Sequence, residues 1–144
     1  MVEKAASKDS YILAKMAKKM WDSSTVEELE AEFSEMIKNE KAVFFVKYVD
    51  SKPAGFAQCC LRNDYVEGTE SSPVGYLEGI FVEENYRNKG YAKELLSFCE
   101  KWAKDKGCSE FASDCELVNT GSLSFHKAMG FDEVNCIICF KKNI

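Results

Sequence analysis

Residues 75–82, Gly-Tyr-Leu-Glu-Gly-Ile-Phe-Val, make an apolar run that leads into the basic stretch Arg87-Asn88-Lys89-Gly90-Tyr91-Ala92 and then into the amphipathic run 91–102. That order of strand, turn and helix constrains the fold more than any other segment. It sets the unpaired N–H groups of a helix start at the end of a strand, where they can converge on an anion. Taken alone, the turn has two readings. It is a pyrophosphate site, or it is a packing device in which Gly90 lets helix and strand come close while Arg87 and Lys89 stay solvated.

The chain has 144 residues, enough for a single domain over 1–144 with one core. Hydrophobic content of 46% with 30% charged residues is ordinary for a globular protein, and two prolines and eight glycines leave no room for a long disordered linker. Residues 1–19 mix Glu3, Lys4, Lys8, Asp9 and Lys15 among apolar positions, so no secretory or membrane-spanning segment is expected there and the protein is expected to be cytoplasmic. A formal charge of -5 argues against nucleic-acid binding, which draws its affinity from clustered Lys and Arg. The seven cysteines are odd in number and lack a secretory context, so reduced and mostly buried thiols are expected. Cys136 and Cys139 have CxxC spacing, but in an apolar strand residues three apart point to opposite faces, which argues against zinc.

Helical spacing of Tyr11, Ile12, Met16, Met20 and Trp21 predicts a first helix over 9–21. A second follows Ser24 or Thr25 as N-cap, with Glu27 and Glu28 behind it. Residues 42–49 and 54–61 read as a hairpin around the turn 50–53, and 62–73 as a polar loop. The strand 75–82, a third helix from Tyr91, a strand at 111–113, a last helix over 119–129 and a terminal strand over 133–142 complete the order, with a short first strand over 2–6. Antiparallel strands early and βα units late predict a mixed α/β sheet flanked by about four helices.

Glu78 interrupts an apolar strand and so needs a partner, water or a task. Gly79 beside it signals a bulge or a close backbone approach. Alternation also allows Glu78 a solvated face. Asp114 follows the next strand, and if the two strands are neighbours both carboxylates reach one cleft. An acyl transfer to an amine uses such groups, because only the neutral amine attacks a thioester. A carboxylate can hold the ammonium and take its proton, and backbone N–H groups can stabilise the oxyanion. No metal is required.

Arg87, Gly90 and Ala92 fit the Arg-x-x-Gly-x-Ala signature, and the chain resembles the GCN5-related N-acetyltransferase superfamily. Asn63-Asp64-Tyr65-Val66, Gly68, residues 71–74, Leu77-Glu78-Gly79-Ile80-Phe81-Val82, Ala112-Ser113-Asp114 and Trp21 are together similar to the compact bacterial aminoglycoside 6′-N-acetyltransferases. The resemblance implies a splayed central sheet that admits the pantetheine arm of acetyl-CoA. It implies that Trp21, Tyr65, Glu78 and Asp114 line an aminoglycoside pocket, with Glu78 and Asp114 as the catalytic acids. Ile80, Phe81 and Val82 would pair with pantetheine by backbone, Arg87, Asn88, Lys89, Gly90, Tyr91, Ala92 and Lys93 would bind pyrophosphate, and Asn119 would reach the pantetheine arm. It further implies a homodimer through the C-terminal strands.

Each residue has a plainer role open to it: Trp21 and Tyr65 as packing aromatics, Asn119 as a helix cap, Asp114 as a turn residue. Two departures from the pattern stand out. Phe125, with His126 beside it, occupies the place where many relatives carry a general-acid tyrosine, and Asn135 stands where relatives carry a drug-binding glutamate. His126 could stand in for that tyrosine only by facing the cleft; a helix-surface position is expected of it, and its role stays open. Acetyl transfer to another polyamine or to a protein amine, and non-catalytic binding of acyl-CoA or drug, are the competing readings.

Overall fold

The computed structural model describes residues 1–144. Its strands are β1 (Val2–Lys4), β2 (Ala42–Val49), β3 (Lys52–Arg62), β4 (Val74–Val82) and β5 (Phe111–Ser113). The helices are α1 (Ser10–Lys18), α2 (Val26–Ile37), α3 (Tyr91–Asp105) and α4 (Thr120–Ala128). One sheet in the order β1-β2-β3-β4-β5 carries the molecule. All neighbours are antiparallel except β4 and β5.

Local chemistry explains most boundaries. Thr25 caps α2 with its hydroxyl on the Glu28 N–H, while Glu28 reaches back to the Thr25 N–H, so two orphan donors are satisfied reciprocally. Asp50 and Ser51 both hold positive φ and close the β2–β3 hairpin tightly. Alternation along β2 then sends Phe44 and Val46 to one face, where α1 and α2 cover them with Leu13, Ala17, Leu29 and Phe33. Val43 and Phe45 go to the other face, against Leu95, Leu96 and Cys99 of α3.

The predicted α1 runs too far. The helix ends at Lys18, and Trp21 lies beyond it with its N–H on the Ala17 carbonyl. A larger departure concerns residues 133–142, which form no strand. After Phe131 the chain has no regular structure and is largely exposed. A strand exists only by pairing, and this segment pairs with nothing in its own chain. The opposite-face argument for Cys136 and Cys139 therefore has no strand to rest on. All seven cysteines are free, but only Cys59 and Cys99 are buried, so the expectation of mostly buried thiols is also corrected. No helix is long and apolar enough to cross a membrane.

Candidate active site

The site begins with a bulge. β3 and β4 pair Gln58 with Gly79 and Cys59 with Leu77, which leaves Glu78 as the extra residue. The bulge inverts the parity of β4: Leu77, Ile80 and Val82 all face α3, although 77 and 80 are an odd number apart. Glu78 stays on the opposite face with Tyr76, free of the apolar layer.

There it meets the end of β3. Arg62 donates from Nη2 to Oε1 at 2.8 Å and to Oε2 at 3.0 Å, and from Nε to Oε1 at 3.1 Å. The Cys60 thiol sits 2.8 Å from the same Oε1. Burial and then this carboxylate push the Cys60 thiol up to about 12. The guanidinium carbon of Arg62 lies 3.4 Å from the centroid of the Tyr76 ring, and the Tyr76 hydroxyl donates to Asp114. Burial, reinforced by Asp114, raises the Tyr76 phenol well above its ordinary value. The two predicted acids are thus joined on one face. Their connectors, Arg62, Cys60 and Tyr76, escaped the sequence reading. The signal was their spacing of two along each strand, readable only once the bulge fixes the register.

Gly79 explains where Trp21 sits. A Cβ at Gly79 would lie 2.7 Å from Cη2 and Cζ2 of the indole and 2.9 Å from Cε of Met20, so the absence of a side chain admits the ring beside Glu78. Trp21 also packs edge-on to Phe33 and Phe56 at 6.5 Å. It thus fills the packing role open to it while its ring borders the bulge at Glu78.

The loop between β3 and β4 borders the same patch. Val66 is buried against Val74 and Tyr76, with Cys60 packed alongside, and its neighbours Tyr65 and Glu67 face outward. Glu67 accepts from the Tyr65 hydroxyl at 2.9 Å and from Asn135 Nδ2 at 3.0 Å. The Asn135 amide, followed by the Tyr65 hydroxyl, holds the Glu67 carboxyl below the usual carboxylate range. The loop is tied down again where Glu110 accepts from the Glu70 N–H at 2.9 Å and from the Ser71 hydroxyl.

β4 and β5 pair only from Gly75–Phe111 to Leu77–Ser113. From residue 78 onward no strand lies beside that edge of β4, so the strands part next to Ile80, Phe81 and Val82. At the far end of β4, Arg87 Nε donates to the Val82 carbonyl at 2.9 Å. Asn88 and Gly90 both hold positive φ, at 61° and 81°, on either side of Lys89, and nothing lies within 4 Å of a Cβ built on Gly90. Backbone N–H groups in such a turn at a helix start form an anion-binding concavity with open access. Tyr91 and Ala92 turn into the core under it, and Lys93 is exposed.

The turn has a hidden support. Lys47 of β2 is buried, bonds Glu94 of α3 at 2.7 Å and lies 4.7 Å from the Tyr91 ring centroid. The hydrogen bond to Glu94 raises the Lys47 ammonium above its ordinary value despite burial. Asn119 caps α4 with Oδ1 on the Ser122 N–H at 3.1 Å. His126 departs from the surface position expected of it. It is half-buried, its Nε2 lies 2.7 Å from Ser113 Oγ and its Nδ1 lies 2.7 Å from the Ser122 carbonyl, so it sits where β5 leaves β4.

A sheet that parts at its one parallel pair, beside a glycine turn opening a helix, is the architecture of an acyl-coenzyme-A-dependent transferase. The chain belongs to the Acetyltransferase (GNAT) family, whose profile matches residues 12–131. It is 38% identical over 126 residues to an aminoglycoside N(6′)-acetyltransferase type 1 of Serratia marcescens, covering 87% of this chain and 86% of that one. A protein of the same name from Acinetobacter baumannii is 41% identical over 114 residues, 78% of each chain. Among solved structures, AAC(6′)-Iy in complex with the bisubstrate analogue CoA-S-monomethyl-acetylneamine superposes with a TM-score of 0.95 at 33% identity, covering 100% of this chain and 98% of that one. AAC(6′)-IG from Acinetobacter haemolyticus superposes with the same TM-score and identity, covering 100% and 99%.

Proposed function

We propose that the protein transfers the acetyl group of acetyl-CoA to the 6′-amine of an aminoglycoside, by direct attack in a ternary complex, and so confers resistance. The observation that carries this reading is the joining of Glu78 and Asp114 on one face beside the unpaired edge of β4. Relatives named for this reaction, at more than a third identity over most of the chain, support it.

In this reading the pantetheine arm pairs with the backbone of Ile80, Phe81 and Val82, Asn119 meets it with its amide group, and the turn from Arg87 to Lys93 takes the pyrophosphate. Trp21, Tyr65, Glu78 and Asp114 receive the drug. Glu78 accepts a proton from the bound ammonium, the freed nitrogen lone pair attacks the thioester carbonyl, and bulge N–H groups stabilise the oxyanion. The tetrahedral adduct collapses with loss of the coenzyme thiolate, which takes the second nitrogen proton and leaves as the free thiol, and a neutral amide remains. Because the coenzyme is an intracellular metabolite, we place the enzyme in the cytoplasm.

A homodimer also belongs to the proposal. Ile137, Ile138 and Phe140 are 66%, 79% and 90% exposed in a terminal segment without regular structure, and a second copy would cover them. Thiol release followed with kanamycin and tobramycin tests the activity. Turnover with acetylation mapped to the 6′ position supports it, and turnover only with another amine such as spermidine overturns the drug assignment.

A further inference from the structure

We infer that Arg62 is a positioning residue for the acceptor site: it holds the Glu78 carboxylate as an internal counter-ion and, through the Tyr76 ring, couples it to Asp114. The inference rests on the reading of Glu78 and Asp114 just given and adds how the pair is organised.

Glu78 is the unpaired extra residue of a bulge, which the ladder itself does not hold, and its side chain is a quarter exposed. Two sp³ torsions would leave such a carboxylate mobile. Arg62 removes that freedom. A planar guanidinium that donates from both Nε and Nη2 sets the plane of the carboxylate as well as its place, which a lysine ammonium does not. Arg62 is itself held by stacking on Tyr76, and Tyr76 is buried and fixed through its hydroxyl to Asp114. Every link in the line Glu78, Arg62, Tyr76, Asp114 is a direct contact.

The arrangement is also asymmetric. Oε1 faces three donors, Nε and Nη2 of Arg62 and the Cys60 thiol, whereas Oε2 faces Nη2 alone. Oε2 is therefore the oxygen with capacity left for the acceptor ammonium and its proton. Arg62 also offsets the charge of Glu78 while no acceptor is present. Removing it leaves the site one unit more negative, so a polycationic acceptor is attracted at least as strongly, but the carboxylate that must take its proton is no longer aimed. The signature is a fall in kcat without a rise in KM.

Steady-state kinetics with acetyl-CoA and kanamycin, over a range of salt, test this in wild type, Arg62→Met, Arg62→Lys, Glu78→Gln, Asp114→Asn and Tyr76→Phe, with calorimetric binding of acetyl-CoA reporting the folded fraction. Arg62→Met is expected to lower kcat about tenfold or more, with KM for kanamycin unchanged or lower and more salt-dependent. Arg62→Lys is expected to restore the wild-type salt dependence but not kcat. The Arg62→Met effect should vanish in the Glu78→Gln background, and its coupling to Asp114→Asn should vanish with Tyr76→Phe. Unchanged kcat in Arg62→Met, or independent multiplication of the Arg62→Met and Glu78→Gln effects, overturns the inference. If Arg62→Met binds no acetyl-CoA, Arg62→Lys decides: wild-type kcat there overturns it. Wild-type protein that leaves kanamycin unacetylated, or Glu78→Gln and Asp114→Asn that both match wild type, overturns the underlying site reading instead.

Discussion

Gly79 does two things for one residue of sequence: it sits in the bulge that displaces Glu78, and it leaves room for the Trp21 indole. Gly79→Ala places a methyl group 2.7 Å from two ring carbons, closer than real Cβ atoms come, so the indole must move. We expect kcat/KM for the aminoglycoside to fall about tenfold while the acetyl-CoA dissociation constant stays within about twofold, because displacing a side chain proposed to line the acceptor site by an ångström has costs of at least this order. Steady-state kinetics with calorimetry check it. At this scale Glu78 was legible, because a lone acid in an apolar strand is conspicuous. Arg62 and Tyr76 were not, since an arginine at a strand end and a tyrosine in a strand are unremarkable until the register brings them to the acid. His126 was misplaced for a related reason. Helix periodicity gives its side of α4 but not that Ser113 of β5 comes to meet it.

The elements themselves were the most readable part. The hairpin, the capped α2, the order of β4, turn and α3, and the brief β5 all follow from local pattern, because each is fixed by turn chemistry or a one-sided apolar stripe. What local pattern could not supply is the pairing of a buried Lys47 with Glu94, two residues 47 apart. This ion pair seats the first turn of α3, the element that carries the proposed pyrophosphate site. Lys47→Met should destabilise the fold by about 1–3 kcal/mol, less than a fully buried pair would imply because Glu94 is more than a third exposed, and should weaken acetyl-CoA binding more than drug binding. Chemical denaturation and calorimetry measure both. The sign of the pH effect follows from the raised ammonium of Lys47. Its contribution is fully present below the ordinary lysine value of 10.5 and is lost as pH rises through the higher folded value. The Lys47→Met variant should therefore lose the alkaline fall in stability that wild type shows above that range.

For the whole molecule, the terminal segment is where sequence and structure part. Its continuous apolar run reads as a strand, yet the five-stranded sheet ends at β5 and the segment stays outside it. Hydrophobicity names the face to be covered, not the chain that covers it. If a second copy provides the cover, sedimentation at micromolar concentration should show a dimer, and Phe140→Asp should shift it to monomer; a wild-type monomer under those conditions would refute the dimer.

The root of that segment has a separate consequence. Val134 lies where a Cβ on Gly68 would fall, 2.6 Å from its nearest methyl, and Asn135 grips Glu67, so the last residues steady the loop proposed to face the drug while leaving the proposed pyrophosphate turn untouched. A protein shortened after Asp132 should still hold coenzyme A and yet grasp aminoglycosides poorly. The two halves of a bisubstrate reaction thus come apart with a single stop codon.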